Sequence, residues 1–143
     1  MGWDIVHGNF QMYMNQFDPL GTSQGYWRVG AIIQPYGRFA RGFNHAQGKD
    51  TMYFDLDDGF FAGGPPHAAT IRIVYFDQGT GEWQLKYDAV SDPQKIAFTV
   101  MKTNTGLWKE KAITIADGHL GNRCPNGADI MLVNSDSEDD VFH

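Results

Sequence analysis

The chain has one cysteine, Cys124, among 143 residues, so no internal disulfide can form. A domain of this length can bury an adequate core without such a staple, so the lack of pairing neither requires nor excludes secretion. No apolar run approaches the roughly 18 residues of a membrane span. The opening "MGWDIVHG" has neither the charged n-region nor the apolar h-region of a signal peptide. Bases are few: 11 Lys and Arg stand against 17 Asp and Glu, for a formal net charge of −6. Phosphate neutralisation needs a concentrated cationic face, so the bulk charge speaks against nucleic-acid binding. Helical periodicity is missing as well, because no window of about a dozen residues sustains apolar positions at i, i+3, i+4 and i+7. Catalytic signatures are equally scarce. The sequence contains no G-x-S-x-G, no HExxH and no phosphate-binding glycine loop.

What is present is period two. "TMYFDLDD" sets Phe54 and Leu56 against Tyr53, Asp55 and Asp57, and "TIRIVYFD" sets Ile71, Ile73 and Tyr75 against Arg72, Val74 and Phe76. "EWQLKYD" is the cleanest case, with Trp83, Leu85 and Tyr87 opposite Gln84, Lys86 and Asp88. "NFQMYMNQF" (Phe10, Met12 and Met14 on one side), "IAFTVMKT", "KAITIAD" and "ADIMLVN" complete the set. Turn formers separate them, among them "DPLGTSQG", "DDGFFAGGPP", "DQGTG", "SDPQ" and "CPNG". Roughly seven to nine short strands punctuated in this way predict an all-β fold, an antiparallel β-sandwich of jelly-roll type. A small barrel is the structural runner-up. No linker, repeat or low-complexity tract divides residues 1–143, which read as a single domain excised from a larger protein. The stretch "IVYFDQGTGEWQLKYDA" reads as two strands joined by a glycine-bearing turn, with Trp83, Leu85 and Tyr87 on an inner sheet face beside Ile71, Ile73 and Tyr75.

Charge distribution says more than net charge. Residues Pro19 to Lys49 contain no acid, yet they hold Arg28, Arg38, Arg41, His45 and Lys49 together with Tyr26, Trp27, Tyr36, Phe39 and Phe43. Arginine forks pair with carboxylate or sulfate, and aromatic faces accept the C–H face of a sugar ring, so this segment would suit an anionic polysaccharide. The competing reading pairs these arginines with aspartates of neighbouring strands and buries Trp27. Trp108 shares parity with Glu110, away from Ile113 and Ile115, and so points outward if its strand has no bulge. The candidate ligand contacts are Trp27, Arg28, Tyr36, Arg38, Arg41 and Trp108.

Metal ligands are a weaker signal. "DLDDG" (Asp55 to Gly59) resembles the start of a calcium loop without its closing glutamate, leaving structural calcium at Asp57, Asp58 or the Asp136–Asp140 cluster as one reading and solvated acidic loops as the other. The five histidines show no zinc spacing. Glu82 and Glu110 are the pair to test for glycosidase chemistry, though 17 acids supply many such pairs.

From about His67 to Val133, half of the chain, "ATIRIVYFDQGTGEWQLKYDA", "TNTGLWKEKAITIADGHLGN" and "GADIMLVN" resemble the carbohydrate-binding-module-like β-sandwich domains appended to polysaccharide-degrading enzymes. Those domains share a strand ending in an aromatic and an aspartate, a W-x-L-x-Y-D strand, a Trp-bearing strand, an aspartate loop and a D-I-x-L strand. The resemblance implies a noncatalytic domain outside the cell or at its surface, and the chain is expected to be a monomer. Its partners would be a polysaccharide or oligosaccharide and the catalytic module of the parent chain, with no nucleic acid and no membrane. It carries over Trp83, Leu85 and Tyr87 as framework and carries over no ligand contact. The alternatives are an accessory domain that packs on a glycoside hydrolase or lyase module without binding glycan, and a small glycan-active enzyme with paired carboxylates.

Overall fold

The computed structural model describes residues 14–19, 21–29, 38–61 and 63–143, with the backbone alone described at 27–29, 38 and 39. Phe10 and Met12 of the first expected strand, and Tyr36, lie outside these residues.

Ten strands occur among the described residues: β1 (Met14–Phe17), β2 (Gln24–Val29), β3 (Arg38–Gly42), β4 (Thr51–Leu56), β5 (His67–Asp77), β6 (Glu82–Tyr87), β7 (Lys95–Met101), β8 (Leu107–Gly118), β9 (Ile130–Asn134) and β10 (Val141–Phe142). They form two antiparallel five-stranded sheets, ordered β1-β4-β9-β6-β7 and β2-β3-β10-β5-β8. The molecule is a β-sandwich. Alternation decides which half of each strand faces inward: Met52, Phe54 and Leu56 of β4 and Trp83, Leu85 and Tyr87 of β6 are buried, while the residues between them are not.

Trp83 is the keystone of the core. Its indole meets Tyr75 at 5.2 Å and Phe142 at 5.0 Å from the opposite sheet, and Phe98 at 5.7 Å from its own, all edge-on. Edge-to-face geometry sets the positive ring edge against the negative face, adding about 0.5–1.5 kcal/mol per pair beyond area burial.

These contacts also correct the expected hairpin. β5 and β6 do not pair: β5 pairs with β8 and β10, and β6 pairs with β7 and β9. The "DQGTG" turn is an arch that carries the chain from one sheet to the other, so the inner faces of β5 and β6 oppose one another across the core instead of lying side by side. Two features favour the arch. Asp77 is fully buried at the end of β5 and binds the 103–105 loop, and Gly79 takes φ +81° beneath the Glu138 carboxylate, where a Cβ would come within 2.6 Å of Oε2.

The ends of the sandwich are fastened by buried carboxylates. Asp77 accepts from Thr103 N (2.7 Å), Thr103 Oγ1 (2.8 Å), Thr105 N (3.1 Å) and Thr105 Oγ1 (2.6 Å), with Lys109 Nζ at 2.8 Å. Burial raises its pKa, but these donors outweigh that and hold it far below the usual carboxylate range. Asp88 accepts from Gly121 N (2.9 Å) and Arg123 Nε (2.8 Å), and Asp129 accepts from Leu56 N (2.8 Å) and Asn122 N (2.9 Å). Together they fold the 119–129 loop over the outward side of β9. There Cys124, Ala128 and Met131 form a small second cluster with Phe17, Tyr53 and Val133. This loop closes part of the outward face of the first sheet. The outward face of the second sheet carries no such cover among the described residues.

Candidate functional site

Residues 135–143 form a strap that ends as β10, inserted between β3 and β5. The sequence "SDSEDDVFH" reads as a solvated acidic tail, yet nearly every carboxylate is used. Asp136 accepts from Glu82 N (2.5 Å), and Glu138 accepts from Thr80 N (3.0 Å) and Gly81 N (2.9 Å), wrapping the arch. Asp140 is buried against Lys102, whose Nζ lies 2.9 Å from Oδ1 and donates to Asp139 O at 2.6 Å, and both side chains are 1% exposed. Burial outweighs the pull of Lys102 and raises the Asp140 carboxyl to about 6. β3 reaches this strap closely, since a Cβ on Gly42 would stand 2.1 Å from Asp140 O. Only glycine fits there.

By inserting β10, the strap completes the outward face of the second sheet and creates a groove on it. Registers Tyr26↔Ala40, Gly42↔Val141, Phe142↔Tyr75 and Phe76↔Trp108 put Tyr26, Val141, Phe76 and Trp108 on the side away from the core. The groove has a volume of about 270 Å³ and is lined by Tyr26, Phe76, Gln78, Gly79, Asp139 and Val141. Tyr26 on β2 and Phe76 on β5 are three strand spacings apart, roughly 14 Å. Phe76 is backed by Trp108 at 5.1 Å, and Trp108 in turn meets His143 at 6.1 Å. Val141 lies between the two aromatic walls, while Gln78, Gly79 and Asp139 come from the loop ends.

The polar lining is oriented by its neighbours. Tyr26 donates its hydroxyl to Phe43 O at 2.5 Å, which fixes the ring. Burial raises the Tyr26 pKa, and the nearby Asp139 carboxylate adds to the shift. Asp139 Oδ1 accepts from His45 N at 2.8 Å, and Gly79 N donates to Asn104 Oδ1 at 2.8 Å.

The sequence-derived contacts divide accordingly. The backbones of Trp27 and Arg28 lie on β2 and those of Arg38 and Arg41 on β3, in the same sheet as Trp108 but toward its opposite edge. β8 runs without a register shift from Leu107 to Ile115, so Trp108 does face away from Ile113 and Ile115, half-buried against Phe76. The Arg41 guanidinium is engaged: it pairs with Asp18 and donates from Nε to Ser23 Oγ at 2.8 Å. Glu82 and Glu110 stand on different sheets, Glu82 accepting from Ser135 Oγ (3.0 Å) and Glu110 facing outward beside Arg72 Nη1 (2.9 Å). Among the described residues, no three His, Cys, Asp or Glu side chains converge as metal ligands. Of the acids considered for calcium, Asp57 accepts from Gly59 N and Asp58 from Asn122 Nδ2, both at about 2.8–2.9 Å, and the Asp136–Asp140 cluster is taken up by the strap contacts given above. Tyr26, Phe76 and Asp139 line the groove without being among the sequence-derived candidates, although Tyr26 belongs to the acid-free segment. Phe76 carried a signal, being an aromatic on the outward parity of its strand.

Comparison with protein-family models, curated proteins and solved structures yields no match for this chain. The functional reading therefore rests on the chemistry of the site.

Proposed function

We propose that the chain is a noncatalytic carbohydrate-binding domain, a β-sandwich of jelly-roll connectivity that acts outside the cell beside a glycan-degrading module. The observation that carries this reading is the outward groove of the second sheet, walled by Tyr26 on one side and the Phe76–Trp108 pair on the other. A pyranose is amphipathic: its C–H face packs on an aromatic ring while its hydroxyls exchange hydrogen bonds at the rim. Gln78 offers a donor and an acceptor there, and Asp139 offers acceptors. A volume of about 270 Å³ suits one sugar ring of a longer chain, with neighbouring units lying along the open face. A few such contacts yield a Kd of about 1 μM to 1 mM, or about −8 to −4 kcal/mol.

The test is a screen of neutral, amino and acidic polysaccharides, run with and without EDTA and repeated with Phe76→Ala and Trp108→Ala. Binding that both variants weaken supports the reading. Binding that both leave intact moves the site elsewhere.

One observation favours the second reading, a domain that packs on its neighbour without holding glycan. Ile96 (49% exposed) and Met101 (69%) both lie on the outward side of β7, and Leu107 (46%) opens β8 after a short loop. A covering module would protect these three, and hydrogen exchange in a two-module protein would report it.

A further inference from the structure

We infer that the groove selects a cationic sugar, a hydroxylated ring bearing a protonated amine. The inference rests on the carbohydrate reading and narrows its ligand. Asp139 is the one charged side chain lining the groove among the described residues. Its carboxylate is positioned from two directions: Oδ1 accepts from His45 N at 2.8 Å, and its own carbonyl accepts from the buried Lys102 Nζ at 2.6 Å. The second carboxylate oxygen makes no hydrogen bond among the described residues. The walls are the rings of Tyr26 and Phe76, whose negative faces attract a cation and repel an anion. An ammonium paired with Asp139 meets a charge-assisted acceptor and the π face of one wall, the two walls standing roughly 14 Å apart.

An acidic sugar finds the reverse. The Tyr26 hydroxyl already donates its one hydrogen bond to Phe43 O, so it has none to offer a carboxylate or sulfate. Among the described side chains, the lysines and arginine near this end of the sheet are engaged by protein acids. Lys102 is buried on Asp140 at 2.9 Å, Lys109 stands 2.8 Å from Asp77, and Arg41 pairs with Asp18. The described lining thus points away from the anionic glycan that the Arg-rich segment suggested and toward an amine-bearing one.

A net charge of −6 draws any polycation, so the test must separate this site from bulk attraction. Short glucosamine oligomers, their N-acetylated counterparts, neutral gluco-oligomers and uronate oligomers are titrated calorimetrically at pH 6, where an amine of ordinary basicity is protonated. The same series is run with Asp139→Asn, which removes one acid of 17 and keeps the acceptor for His45 N. The expected result is amine binding about tenfold tighter than the N-acetylated form, with that ratio collapsing to near one in Asp139→Asn. Equal affinity for both forms, tighter binding of uronates, or a preference that survives Asp139→Asn overturns amine selection and leaves carbohydrate binding intact. Failure to bind any of the four overturns both.

Discussion

Replacing Lys102 by methionine removes the partner of a fully buried carboxylate and keeps the volume of the side chain. Lys102 Nζ lies 2.9 Å from Asp140 and donates to Asp139 O, so the substitution orphans a carbonyl and strands a charge where water cannot reach. Loss of one member of a buried ion pair costs about 3–5 kcal/mol, most of it the penalty of the remaining charge. That penalty can be escaped by protonation. The Asp140 carboxyl already titrates near 6 with Lys102 present, and removing the cation raises it further. The destabilisation of Lys102→Met is therefore expected to be about 3–5 kcal/mol at pH 8 and markedly smaller at pH 5. Lys102→Met/Asp140→Leu removes both charges and is expected to recover most of the loss, because a matched apolar pair often equals a buried ion pair. Urea denaturation of the wild type, the two single variants and the double variant at both pH values gives the cycle. A pH-independent loss, or a double variant no better than Lys102→Met, refutes the assignment of a buried, desolvation-dominated pair.

The wild type should show its own pH signature. Asp140, raised from 3.8 to about 6, stabilises the fold in full below about pH 4 and loses that contribution as pH rises through about 6, a change of up to roughly 3 kcal/mol. Asp18, Asp77, Asp88 and Asp117 are lowered, so their stabilisation is present above about pH 4 and is lost as pH falls further. Stability measured by urea across pH 3–8 should thus peak on the acid side of neutrality. Trp108→Ala is expected to cost about 1–2 kcal/mol of stability, well under the 3–5 of a fully buried Trp, while weakening glycan binding at least fivefold; a collapsed melting transition would place Trp108 in the core. Trp83→Ala should cost about 3–5 kcal/mol, read by the same denaturation. Burial pushes the Cys124 thiol up to about 12, so iodoacetamide at pH 8 should label it only when denaturant is added.

The inner face of the sandwich was legible because alternation encodes it. Trp83, Leu85 and Tyr87, and Phe54 with Leu56, lie where parity puts them. The pairing of strands was not legible. A short glycine-bearing turn serves equally as a hairpin or as an arch, and the choice between them depends on the buried Asp77 and on Glu138, more than 50 residues away in sequence. β10 escaped because two residues carry no periodicity, and the acids before it resemble a solvated tail until Lys102 and the arch amides are placed around them. The groove was half legible. Trp108 was marked by parity, and Phe76 carried the same mark on "TIRIVYFD", but only the sheet order joins them to Tyr26. Arg41 stood out in an acid-free segment, yet its partner Asp18 lies one residue before that segment begins.

The central claim is that the outward groove binds sugar through its aromatic walls, and Trp108 beside Phe76 supplies a built-in reporter. Tryptophan fluorescence titration of the wild type and Phe76→Ala against the oligosaccharide panel, with melting curves of both proteins alongside, is the most direct test. The account predicts saturable binding in the micromolar to millimolar range for the wild type and at least about tenfold weaker binding for a still-folded Phe76→Ala. Equal affinity in the two folded proteins, or no binding by the wild type to any sugar at millimolar concentration, would contradict it.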